Sequence, residues 1–376
     1  MTTAGRPEHG DTKVSSPPAR DEVHLVARGI ATAVAPADGL TAVQAALLRA
    51  VTNALTGFQI DYSSLEALGP EELSEVLRPR DQDYRQRIVH HMVLGELVLR
   101  PLPAEVALRV ARYAEALGIR DSFVRIARRY AQGATGLAWL DLQRSGFVEE
   151  VRAADYDASS PDPSDGDRSP SDPFAPAEVD PHLEERWRSY EELPEGTLGR
   201  SAWTMYDGRG FRLPGAPGGA PRYLAQHDYV HVLADYGTNL RGELEVFAFI
   251  GRADPDPKGF AWLATLIGLF ETGYIAETGF FERDVRERTL QAPGMDMRIA
   301  DAIRRGKVVC GHYGVDLFEV DYHALASRSL DEVRELLHLP AKPEVAEQAG
   351  WPGAFDRPGM SEIQQHFADA RGGRAE

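Results

Sequence analysis

The sequence predicts an all-α protein of two helical domains on either side of a disordered acidic linker. Three observations predict it. Apolar residues recur at three- and four-residue spacing along most of the chain, strand-like alternation is almost absent, and the composition shifts sharply between about Ala153 and Pro181. The 376 residues also exceed the size at which one core usually stays single, and at 43% hydrophobic they can fill two.

Residues 1–22, rich in Pro, Gly, Ser, Thr and charge, read as a disordered tail. Helical periodicity starts near Thr41, where Val43, Leu47, Ala50, Val51, Ala54 and Leu55 share a face and Gly57 closes the segment. A second pattern runs from Asp83 to Leu99 and stops at Arg100-Pro101. A third follows Pro103, with Val106, Val110, Tyr113 and Leu117 on one stripe and Gly118 as C-cap. A fourth follows Asp121-Ser122, with Phe123, Ile126, Ala127 and Tyr130. These make a helical domain over 23–150. The Asp-, Ser- and Pro-dominated stretch DASSPDPSDGDRSPSDPFAPAEVD cannot bury enough apolar area to offset its ordering entropy, so 151–181 is the linker.

Residues 182–345 form the second domain, and 346–376 a C-terminal tail. A short helix covers 183–192, and a longer one from about Ala220 to Tyr236 carries the histidines His227 and His231. Gly237-Thr238-Asn239 makes the turn into a helix containing Glu243. Phe260 to Glu277 is apolar on nearly every face, Asp296 to Arg305 is a further helix, and Ser329 caps a last one over Leu330–Leu337.

A formal net charge of -17 argues against DNA or RNA as a partner, because no Lys/Arg-rich stripe is present to displace counterions. It also weakens binding to anionic membrane surfaces, although one local basic face leaves room for peripheral membrane contact. With Cys310 as the only cysteine, a metal site must use nitrogen and oxygen ligands. No apolar leader and no run of eighteen apolar residues is found, so the expected location is cytoplasmic.

His227 and His231 lie four apart on the predicted helix, so their rings stack on one face and can share a cation. Asp228 sits about 100° round the helix, where it either binds the metal or orients a histidine. Glu243 returns beside them across a helical hairpin. Two imidazoles and two carboxylates suit a divalent zinc, iron or manganese ion better than calcium. An HxxxH pair alone is more often structural than ligating; the two carboxylates bring those readings level.

The string HDYVHVLADYGTNLRGE resembles the signature of the coenzyme Q biosynthesis protein 4 family, HDxxH, then eleven intervening residues, then Glu. GTLG at 196–199 with Trp203 and Tyr206, the TNLRGE turn, and IRRGKVVCGHYGVDLFEVDYHALASRSLDEVRELLHL extend the resemblance over about 183–340. It implies His227, Asp228, His231 and Glu243 as metal ligands, with zinc as the metal in that family. It further implies a role in quinone head-group maturation, by decarboxylation and hydroxylation of a prenylated precursor, and a second role in organising other biosynthetic enzymes. The isoprenoid chain that such a domain binds would lie along the apolar stretch, at Trp262, Leu266, Phe270 and Tyr274; read bottom-up, that stretch is central core. The Ala, Arg, Gly and Asp usage hints at a source whose quinone differs, so a related lipophilic aromatic acid is an equal substrate. The alternative function is a non-catalytic lipid-binding scaffold with a structural metal.

Other features read as structural. His90 and His91 point about 100° apart and cannot share a metal well, with Glu96 nearby. GFQIDYSSLEALGPEELSEVL resembles tellurite-resistance TerB-like helical domains, and helix capping accounts for Asp61, Glu71 and Glu72. Cys310 and His312 beside Tyr313 lack a third orienting group. Arg304, Arg305 and Lys307 read as a solvated helix end that could meet a headgroup or carboxylate. A phosphohydrolase reading of His227-Asp228 ranks last, since His182 is poorly placed to complete it.

Overall fold

The structure, a computed structural model, describes residues 17–99, 101–131, 179–220, 222–254, 263, 289–312 and 316–372. Fifteen α-helices and no strand occur among them, so the all-α expectation holds. The sole β-type pairing among the described residues is an isolated bridge between Thr197 and Ser329.

The first group is α1 (Arg20–Val34), α2 (Ala42–Thr56), α3 (Pro70–Leu77), α4 (Gln82–Leu97), α5 (Ala104–Ala116) and α6 (Ser122–Ala131). Local chemistry sets their ends. Thr41 and Gln44 form a capping box at the start of α2, and Gly57 ends it in the left-handed conformation at φ +80°. Asp81 caps α4 through the Tyr84 amide. Helix α1 begins inside the segment expected to be disordered. Its N-cap Ala19 has no side-chain hydrogen bond, so the start carries no sequence signal, yet Val23, Val26, Ile30 and Val34 bury one face.

The second group is α7 (Pro181–Ser189), α8 (Leu198–Arg209), α9 (Arg222–Ala234), α10 (Leu240–Ala253), α11 (Met295–His312), α12 (Tyr322–Leu325), α13 (Leu330–Leu336), α14 (Glu344–Gln348) and α15 (Glu362–Gly372). Asn239 caps α10 by accepting from the Gly242 amide at 3.0 Å. Helix α10 is buried from Gly242 through Gly251 and again at Ala253, as a central helix must be. Among the described residues its most extensive partner is α11, which runs past the expected end at Arg305 to His312. Gly306 lets the two backbones meet, since a Cβ there would collide with the Phe249 carbonyl oxygen. A buried ion pair crosses the same contact: Arg298 Nε donates to Glu245 Oε1 at 2.8 Å.

Helix α11 also packs on α2 of the first group. Lys307 Nζ donates to the Leu55 carbonyl at 2.8 Å, and Arg304 donates to the Asn53 side chain. Arg305 is buried and gives its hydrogen bonds to the Ala234 and Pro340 carbonyls. The basic cluster expected at a solvated helix end is therefore spent on packing. Residues 346–372, read from sequence as a tail, contribute α15, which lies against α8. Of the linker expected over 151–181, residues 151–178 lie outside the described residues, while Asp180 caps α7 and Pro181 opens it, so its last residues are ordered by the helix; no described helix is long and apolar enough to cross a membrane.

Candidate metal centre

Helices α9 and α10 form an antiparallel hairpin through Asp235–Asn239, with Asp235 in the left-handed region at φ 58°. His227, Asp228 and His231 on α9 form a buried group that could hold a metal ion, their ligand atoms all within 4.8 Å of one another. Glu243, one turn into α10, meets them from across the hairpin. His227 Nε2 lies 3.1 Å from Glu243 Oε2, His231 Nε2 lies 3.4 Å from Glu243 Oε1, and the two Nε2 atoms are 3.0 Å apart. Donors bound tetrahedrally to zinc at 2.0–2.1 Å stand about 3.3 Å apart, so this is ligand spacing.

The other ring nitrogens explain why the Nε2 atoms face inward. His231 Nδ1 lies 3.3 Å from the Tyr236 carbonyl oxygen. That oxygen only accepts, so Nδ1 carries the hydrogen and Nε2 keeps its lone pair. His227 Nδ1 lies 3.3 Å from Asp228 Oδ1, which fixes the same tautomer by the same logic. Both Nε2 atoms and the Glu243 carboxylate thus converge on one point, where either a shared proton or a cation relieves the repulsion between them.

The two carboxylates differ. Burial pushes Asp228 up, against the pull of His227, His231 and the Tyr206 hydroxyl that donates to Oδ2. Burial also works to raise Glu243, but the imidazoles of His231 and His227 outweigh it and hold that carboxyl at about 2. Glu243 is therefore the anion coupled to both rings, while Asp228 occupies the back of His227, the orienting position. Phe247 stacks on the His227 ring at 5.2 Å and 21°, excluding water from one side.

Sequence reasoning named these four positions but gave no role to Tyr206, Tyr236 or Phe247. Tyr206 could have been flagged only as part of the segment that extends the family resemblance; a backbone carbonyl such as that of Tyr236 leaves no sequence signal. Of the apolar stretch, Trp262, Leu266, Phe270 and Tyr274 lie outside the described residues, as does Tyr313, whereas Leu263 is helical and fully buried.

The remaining candidates are placed elsewhere. His90 is buried with Nε2 on Asp121 at 2.8 Å, and His91 and Glu96 are buried on the same helix. Asp61 caps a 3-10 turn through Ser63, and Glu72 closes a capping box on the Gly69 amide at 2.9 Å, as expected of capping acids. Glu71 is exposed. Cys310 and His312 share α11, where His312 Nδ1 donates to the Val308 carbonyl at 2.9 Å. His182 is exposed in the first turn of α7. Comparisons with family models, with curated proteins and with solved structures found no match to this chain.

Proposed function

We propose that this chain is a metal-dependent enzyme acting on a prenylated quinone precursor or a related lipophilic aromatic acid. The observation that supports the reading is the buried convergence of both Nε2 atoms and the Glu243 carboxylate at ligand spacing. It occurs at the positions matching HDxxH and the following Glu of the coenzyme Q biosynthesis protein 4 family. The donor set suits zinc, with iron or manganese as alternatives.

A bound metal would supply Lewis acidity toward a substrate carboxylate during decarboxylation; with a redox-active ion, hydroxylation at that carbon would take one oxygen atom from dioxygen, the other leaving as water with two electrons from an external reductant. The chain's own residues fix the site. Tyr236 and Asp228 set the imidazole tautomers, Tyr206 holds a proton against Asp228 Oδ2, and Phe247 keeps one face dry. The prenyl tail is proposed to contact the apolar stretch of sequence that includes Trp262, Leu266, Phe270 and Tyr274. Head-group conversion should be measured with the purified chain before and after chelation. Loss on chelation and recovery on re-addition of zinc, iron or manganese are expected, and turnover that survives complete metal removal would sink the proposal.

One observation favours a second reading, a lipid-binding scaffold with a structural metal that organises other biosynthetic enzymes. All four side chains are buried, His231 fully, and they join two helices as closed structural sites do. Glu243→Gln separates the two: an enzyme loses turnover, whereas a folded scaffold keeps its lipid and partners.

A further inference from the structure

The turn between the two helices of the candidate centre does not stand alone. The Thr238 and Asn239 amides both donate to the Gly359 carbonyl, at 2.7 and 2.9 Å, and Asn239 Nδ2 donates to the Pro358 carbonyl at 2.8 Å. The Thr238 hydroxyl donates to Gln364 Oε1 at 2.7 Å, and Gln364 Nε2 donates back to the Thr238 carbonyl at 3.2 Å. The Ala354 amide donates to Asp235 Oδ1 at 2.8 Å. Thr238 and Gln364 are buried, so these bonds compete with little water. Gly237 and Gly359 meet backbone to backbone, since a Cβ on Gly237 would lie 2.7 Å from the Gly359 Cα and carbonyl oxygen.

The consequence for the site is geometric. Asn239 caps α10, and the Glu243 amide donates to the Asn239 carbonyl at 2.9 Å, so Glu243 moves with Asn239 as one turn of helix. At the other end of the turn, Tyr236 presents the carbonyl that orients His231. The segment 354–364 therefore grips the piece of backbone that sets both the Glu243-to-histidine separation and the His231 tautomer.

We propose that residues 354–364 are a clasp whose contacts with the α9–α10 turn position the metal ligands, with Gln364 and Thr238 as its positioning residues. The inference rests on the metal reading above. Its test uses the full chain with zinc alone, measured by chelator competition, and with cobalt alone, read by its visible absorption spectrum. Gln364→Ala and the milder Thr238→Val should keep the helical circular dichroism, lose zinc affinity by about tenfold or more, and alter the cobalt spectrum. Arg357→Ala, which breaks only the exposed pair with Asp369 in the same segment, should leave both unchanged.

On the unsubstituted chain, zinc should slow hydrogen exchange at the Thr238 and Asn239 amides, because a coupling between clasp and metal acts in both directions. This second measurement decides the matter if both variants fail to fold. Variants that fold and bind like the parent chain, an equal loss in Arg357→Ala, or amide exchange indifferent to zinc would each overturn the clasp while leaving the metal reading intact. A parent chain that takes up neither ion overturns both.

Discussion

At His231 the two ring nitrogens have separate tasks: Nδ1 gives its hydrogen to the Tyr236 carbonyl, and Nε2 turns toward Glu243. The spacing of His227 and His231 was legible in the sequence because a helix repeats its faces every three to four residues. Their tautomers were not, since they depend on a backbone carbonyl and on which side of a ring Asp228 falls. Elsewhere, Glu96 is buried on α4 and neither carboxylate oxygen has a hydrogen-bond partner among the described residues. Burial raises its carboxyl well above the ordinary 4.5. From pH 4.5 upward the folded chain holds a proton that the unfolded chain has released, so stability is full below 4.5 and declines through this window. His91 acts in the opposite sense. Burial, aided by His90, Arg87 and Arg252, drives it down to about 3, so stability declines as pH falls from 6.5. Glu96→Gln should therefore flatten the alkaline-side decline in a pH series of thermal melts and preserve the acid-side one. Parallel curves for parent and variant on the alkaline side would rule out this account of Glu96.

At the scale of elements, helices with strong end signals were the readable ones. Thr41 with Gln44, and Ser329 with Glu332, announced α2 and α13. Helix α1 opens without a cap, and α8 carries the weak helix formers Gly199 and Gly208, so neither stood out in the pattern. The close pairing of α10 with α11 depends on Gly306 and on the Arg298–Glu245 ion pair, whose partners are 53 residues apart. Glu245→Gln leaves the Arg298 charge buried without its counterion, a change that costs about 3–5 kcal/mol. Chemical denaturation should show a loss of that size, and glutamate restored at the position should recover it. A change below about 1 kcal/mol would mean that the pair behaves as if exposed to solvent.

For the whole molecule, the candidate centre is sustained from three directions. Helix α11 packs on α10 and, through Lys307 and Arg304, reaches α2 of the first helical group. Arg334 donates to the Val232 and Leu233 carbonyls, and Arg305 to that of Ala234, so together they cap the end of α9. The C-terminal segment holds the turn. None of this tertiary support was legible, because Thr238 and Gln364 lie 126 residues apart and a tail of ordinary polarity gives no sign of where it docks. Everything proposed for this chain depends on one divalent ion held by His227, His231 and Glu243, with Asp228 beside them. The most direct test is the metal content of the full chain after equilibration with zinc and removal of excess, compared with His231→Ala and Glu243→Gln. About one ion per chain, retained by the parent and lost by both variants with helical content preserved, is the predicted result; a parent chain without metal, or variants that keep it, would contradict the account.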